Sequence, residues 1–214
     1  MAEINLNVLE QSTVMHIKGA FTKDECSEIV DAITKYKNST PLFDPNSNLG
    51  CWRGFPQTSG GFTDELNDLI ITRLSQYLDQ YINSLPQPKN IRESTQYLDK
   101  TRYMFDAWCN VNQQGAENRE HSHSGYLASG CAYFQATGTG PIEFIPQNTL
   151  YKLTNPAWPY HGMSVYEPED GDLILFPSYL LHKVHPNPST RERINMAFNV
   201  NYHRKHNQIH TENT

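Results

Sequence analysis

Three histidines carry the chemistry that this sequence can be expected to do. His121 and His123 flank a serine in Glu120-His121-Ser122-His123-Ser124-Gly125, and His182 closes the run Phe176-Pro177-Ser178-Tyr179-Leu180-Leu181-His182. Side chains alternate faces along an extended strand, so His121 and His123, two apart, are expected on one side, where they can share one metal ion. A histidine brought back by a later strand completes a three-point face. A divalent ion held from one side keeps its other positions open for a co-substrate and a gas. Beyond His182 a basic residue, Arg193, stands at the start of the closing strand.

The elements that must position these residues are readable in outline. Val14 to Phe21 reads as a short strand running into a turn, after which Thr22 and Glu25 have the spacing of a capping box. Cys26, Ile29, Val30, Ile33 and Tyr36 then recur with helical period, predicting an amphipathic helix of about four turns. The stretch from Asn38 to Gly61 is rich in Pro, Asn, Ser and Gly and reads as a long loop carrying Trp52 and Phe55, suited to a lid or to a packed surface loop. Thr63 and Asp64 open a second helix with Leu66, Leu69, Ile70, Leu74, Leu78, Tyr81 and Ile82 on its apolar face, ended by Pro86 and Pro88.

After Asn90 the pattern changes to short β-prone runs: 96–98, 103–111, 128–135, 142–145, 164–166, 173–176 and 193–202, with 113–118 read as a turn. Many short strands after two helices predict an α+β, mainly β fold, a sandwich or small barrel buttressed by N-terminal helices. The length of 214 residues fits one domain, with helical support over 20–90, core sheets over 95–202 and a frayed tail over 203–214.

Composition narrows the function classes. A formal net charge of −6 argues against a broad basic surface for nucleic acid. No run reaches the length of a membrane span, and Met1 to Val8 lack the pattern of a signal peptide. Cys26, Cys51, Cys109 and Cys131 are scattered with no Cys-x-x-Cys pair, which fits reduced thiols in a cytoplasm rather than a disulfide framework. The chain is expected to be a monomer or a homodimer.

The order of these motifs resembles the Fe(II)- and 2-oxoglutarate-dependent oxygenase superfamily. The residues that carry the resemblance are His121-Ser-His123, Gly140-Pro-Ile-Glu-Phe144, Gly171-Asp-Leu-Ile-Leu-Phe-Pro-Ser178 with His182, and Arg193-Ile-Asn195. Within the superfamily, Trp108-Cys-Asn-Val-Asn112, Ser129-Gly-Cys-Ala-Tyr133 and the Phe-Pro-Ser-x-Leu-x-His run look most like oxygenases of marine bacteria and their phages. The resemblance implies a double-stranded β-helix, or jelly-roll, core.

It implies further that His121, His123 and His182 hold Fe(II), and that 2-oxoglutarate chelates the metal, leaving one site for O2. Arg193 would then pair in a fork with the distal carboxylate of 2-oxoglutarate. Asn195, Tyr133 and Ser129 are expected to line the co-substrate pocket, with Asn110 and Asn112 as further candidates. The expected reaction is hydroxylation of a C–H bond with release of succinate and CO2, on a small molecule or a peptidyl side chain.

One position departs from the pattern. The superfamily usually has a carboxylate where this chain has His123, so the site loses a negative charge and a zinc-like centre becomes conceivable. Glu120 is adjacent and would supply the carboxylate only if the strand bent. Two other readings stay open at this stage. One is a cupin-type three-histidine metalloprotein that does not use 2-oxoglutarate, though cupins place a Glu soon after the His-x-His. The other is a non-catalytic jelly-roll module that binds metal.

Overall fold

The computed structural model describes residues 12–40, 48–85, 98–145 and 164–204. The chain runs β1 (Met15–Ile17), α1 (Lys23–Ser39), β2 (Asn48–Gly54), α2 (Asp64–Ser84), β3 (Leu98–His121), β4 (Ala128–Gln135), β5 (Ile142–Ile145), β6 (Ser164–Tyr166), β7 (Leu173–Phe176), β8 (Leu181–Val184) and β9 (Arg193–Arg204). Fold class is α+β and mainly β, as expected.

Both helices start where the caps predict. The Thr22 hydroxyl accepts from the Glu25 amide at 3.3 Å while the Glu25 carboxylate accepts from the Thr22 amide at 2.7 Å, so two otherwise orphaned donors are satisfied. Thr63 does the same for the Leu66 amide at 3.2 Å. The buried faces are Cys26, Ile29 and Ile33 on α1 and Leu66, Ile70, Leu74, Leu78 and Tyr81 on α2. Each large aliphatic side chain taken out of water here contributes about 1.5–3 kcal/mol. Arg73 pairs with Glu25 at 2.7 Å and ties one helix to the other. Among the described residues no helix is long and apolar enough to cross a membrane.

The strands form one antiparallel sheet in the order β1-β7-β4-β9-β3-β8-β5-β6, with β2 attached to β3. Its centre is β3, which is long enough to serve two ladders. Its first part pairs with β9, from Leu98↔Arg204 to Asn112↔Arg193, and its last part pairs with β8 at Asn118↔Val184 and His121↔His182. Gly115 (φ +80°) lies between the two parts, a left-handed backbone conformation that a side chain would strain. Its amide donates to the Asn187 carbonyl at 2.8 Å, so the chain keeps its backbone partners through the change of neighbour.

Alternation on β9 separates the two faces of the sheet. Ile194, Met196, Phe198 and Val200 point outward and join the helices in the main apolar core. Arg193, Asn195, Ala197 and Asn199 point inward and line a cavity of about 390 Å³. The inner apolar cluster is smaller and includes Cys131, Ile142, Phe144, Ile174 and Phe176. Helix α1 is held against the sheet where the Phe21 amide donates to the Gly171 carbonyl at 3.0 Å and the Gly171 amide to the Tyr133 carbonyl at 2.7 Å. A Cβ at Gly171 would meet the Phe21 carbonyl oxygen at 2.4 Å, and its φ of +91° favours glycine as well.

Two expectations are corrected. The stretch from Asn38 to Gly61 is not loop throughout, because Asn48–Gly54 pairs with β3 as β2. Its Gly and Asn content hides a strand whose backbone partners come from the neighbour and whose Cys51 and Trp52 are buried. The run 113–118 is not a turn but the continuation of β3, with Gly115 absorbing the irregularity. Residues 41–47, 96–97 and 205–214, which held part of the expected lid, an expected strand start and most of the tail, lie outside the described residues.

Candidate metal centre

His121, His123 and His182 converge. One ring nitrogen of each lies within 4.8 Å of the others, and the ring centroids are 4.3–5.2 Å apart. The route differs from strand alternation in one respect. β3 ends at His121, and His123 lies past the strand, where its amide donates to the Ser178 carbonyl at 2.7 Å. His182 reaches the group through its register opposite His121.

Each ring is turned the same way. Nδ1 of His121 faces the Arg119 carbonyl at 2.6 Å, Nδ1 of His182 faces the Leu180 carbonyl at 2.9 Å, and Nδ1 of His123 faces the Asn199 side-chain oxygen at 2.5 Å. A carbonyl-type oxygen only accepts, so each Nδ1 carries the proton and each Nε2 keeps its lone pair free for a metal. Burial depresses all three imidazoles below their usual value, His182 to about 3 with the neighbouring His121 as second cause. Lowered values favour the neutral imidazole, the form that can bind a metal. Glu120 is exposed and stands apart from the group, so among the described residues the donor set is three imidazoles with no carboxylate.

Deeper in the cavity lies Arg193, only 1% exposed. Its Nη1 donates to the Thr139 carbonyl at 2.9 Å, while its Nη2 is buried with no partner. No carboxylate of the described residues lies within ion-pair distance. A buried guanidinium without a counter-charge is strongly destabilising on its own, so the arrangement calls for an anionic ligand at Nη2. Arg191, which shares the face of Arg193, is spoken for by Asp170 at 2.7 Å. Beside Arg193 the Asn195 amide donates to the Cys131 sulfur at 2.9 Å, and Tyr133 lines the same cavity. Burial pushes that thiol up to about 11.

The remaining expected site residues divide. Asn110 lines the cavity with Tyr133 and Asn195; Asn112 and Ser129 do not. Asn112 is taken up by Cys51 and Asn118, at 3.3 Å each. Ser129 donates to the Asn199 oxygen at 2.7 Å and so reaches the metal face through Asn199. Two further histidines stand outside the group: His185 pairs with Glu143 at 2.6 Å, and His16 pairs with Asp172 at 2.8 Å.

Sequence reasoning missed Asn199, although it lies on the same face of β9 as Arg193 and Asn195 and alternation alone would have found it. It missed Arg53 and Asp106 too, which line the mouth of the cavity. Arg53 had no sequence signal, because its place depends on the register of a strand that the sequence did not reveal.

Comparison with known proteins agrees with this geometry. Residues 106–199 match the model of a family described as "Putative 2OG-Fe(II) oxygenase". No curated protein matches the chain. Among solved structures, a Pseudomonas putida prolyl-4-hydroxylase superposes with a TM-score of 0.58 at 14% identity, covering 90% of this chain and 92% of that one. HygX from Streptomyces hygroscopicus, solved with nickel and 2-oxoglutarate, gives 0.56 at 13% identity over 89% of this chain and 83% of its own. A viral collagen prolyl hydroxylase from Paramecium Bursaria Chlorella virus-1 gives 0.53 at 15% over 94% and 95%. At such identities these likenesses establish the fold, the expected jelly-roll. The family match spans all three histidines and Arg193.

Proposed function

We propose that His121, His123 and His182 hold Fe(II) and that Arg193 anchors 2-oxoglutarate by its distal carboxylate. The chain is then a dioxygenase that hydroxylates a C–H bond of a small molecule or a peptidyl side chain. The single observation that carries the ligand set is the shared tautomer of three clustered rings: three Nδ1 protons are engaged, which leaves three Nε2 lone pairs for one ion. The orphaned Arg193 Nη2 carries the co-substrate assignment and argues against the three-histidine reading without 2-oxoglutarate, which leaves that buried charge unmet.

When bound, the metal and co-substrate supply the oxidising chemistry, with one atom of O2 going to succinate as CO2 leaves and the other to the substrate. The residues of the chain do the rest. Phe144 and Phe176 pack against the His182 ring, with centroids 6.0 and 4.8 Å away, and keep water from that side. Asn195 and Tyr133 close the floor beside Arg193, and Asn199 fixes the His123 ring.

The chain is proposed to form a single domain and, since all four cysteines are free and buried, to work in a reducing compartment, the cytoplasm. The test is anaerobic addition of Fe(II) and 2-oxoglutarate to the purified protein. A weak visible charge-transfer band that requires both additions is expected. Its absence, with no 2-oxoglutarate binding to iron-loaded protein, would sink the assignment.

A further inference from the structure

A second arginine enters the same cavity from the side away from Arg193. In the sheet, Tyr133 lies opposite Asn195, Asn195 opposite Asn110, and Asn110 opposite Arg53, so one row of inward residues crosses four strands and ends on Arg53 of β2. The Arg53 guanidinium carbon stands 4.2 Å from the Trp108 ring centroid, and that ring is 5.8 Å from the ring of His123. A cation thus sits one aromatic ring away from the metal face.

Resting on an aromatic ring is a sufficient role for many arginines. Two observations go further. Arg53 has no carboxylate within ion-pair distance among the described residues, and its Nε is buried with no hydrogen-bond partner. The nearest acid of the cavity, Asp106, takes the Tyr126 hydroxyl at 3.0 Å instead.

Charge balance points the same way, and here the argument rests on the oxygenase reading above. With neutral His123 in place of a carboxylate, Fe(II) and the 2-oxoglutarate dianion cancel each other. Arg193 and Arg53 then stand against Asp106 alone, which leaves the loaded site with one uncompensated positive charge in a protein of net charge −6. A neutral substrate would leave it so.

We propose that Arg53, seated on Trp108, is the substrate-anchoring residue, and that the substrate carries an anionic group, a carboxylate or a phosphate, bound at the mouth of the cavity. The guanidinium fork matches either anion in shape, and the indole face keeps it aimed across the metal.

The probes are inorganic phosphate and acetate, titrated calorimetrically at fixed ionic strength into Zn(II)-loaded protein saturated with 2-oxoglutarate, so that Arg193 is already occupied. At least one anion is expected to bind, and the stronger of the two names the substrate class. Binding should weaken about tenfold or more in Arg53→Gln, stay within a few-fold in Arg53→Lys, and be unchanged in Arg191→Gln, which removes an exposed cation elsewhere.

Equal binding by wild type and Arg53→Gln, or no binding of either anion, overturns the proposal. The anaerobic Fe(II)–2-oxoglutarate band, recorded on the same samples, separates the two failures. A missing band with Arg53-dependent anion binding removes the oxygenase reading and keeps the anion site; a normal band with Arg53-independent binding does the reverse.

Discussion

The side-chain oxygen of Asn199 accepts the Nδ1 proton of His123 at 2.5 Å and, on the same atom, the Ser129 hydroxyl at 2.7 Å. Two donors on one oxygen fix which way the amide points, and so fix the ring. Partners that orient metal-binding imidazoles are worth about 10–100-fold in metal affinity. Asn199→Ala is therefore expected to weaken Fe(II) or Zn(II) binding by about that factor, and Ser129→Ala by less, in a competition titration against a chelating dye. Equal affinities in all three proteins would mean that the ring is held by its packing alone.

Removing Arg193 should separate co-substrate from metal. A forked pair of charge-assisted hydrogen bonds in a buried site is worth about 3 kcal/mol, or roughly 10²-fold in affinity. Arg193→Lys retains charge without the fork and should lie between. The charge-transfer band reads co-substrate binding, and metal analysis of the same samples should show full loading. Loss of metal in Arg193→Ala would place this residue elsewhere in the mechanism.

Restoring a carboxylate at position 123 tests whether a neutral third ligand is required. Asp at this position shortens the reach but returns the negative charge that better matches a hard dication. His123→Asp should keep metal affinity within about tenfold of wild type and shift preference toward Fe(II) over Zn(II), whereas His123→Ala should lose at least about 10²-fold, more than removing an orienting partner does. Paired Fe(II) and Zn(II) titrations would show both effects.

The turn before β7 should show in the pH dependence of stability. Burial alone would raise the Asp170 carboxyl, but the Arg191 fork and the Thr137 and Ala136 amides win and hold it well below the usual carboxylate range. A depressed folded value means that the stabilisation is complete above the unfolded pKa of about 3.9 and disappears as pH falls through the folded one. Because the pair is more than a third exposed on the arginine side, about 1 kcal/mol is a reasonable size. Asp170→Asn should lower the melting temperature by a few degrees at neutral pH, and the gap to wild type should narrow below about pH 4.

Local rules made most of the frame legible. The capping box at Thr22, the N-cap at Thr63, the helical periodicity from Cys26 and from Leu66, and the runs 128–135, 142–145 and 173–176 are decided by neighbours in sequence, and they formed as expected. β2 escaped because nothing within Asn48–Gly54 marks it as a strand; its order comes from pairing with β3. The same non-local origin hid Arg53. His123 shows the converse, a residue identified for a reason that the fold does not use: it reaches the metal face from beyond the strand end, held by Ser178 and Asn199. Ser129 was placed on the correct face, but it stops at Asn199 instead of reaching the cavity.

The pairing of His121 with His182 also sets when the site can come into existence. Until β8 has crossed to β3, the chain can offer a metal only the two rings near position 121, and closing that long loop is among the later and slower events for a sheet of non-local contacts. Tight coordination then arrives with the last strands rather than with the first, so an ion retained through refolding would report that the whole sheet has assembled. Misfolded chains with only the early half in place would be left metal-free, and the oxidising chemistry would be confined to molecules that have finished folding.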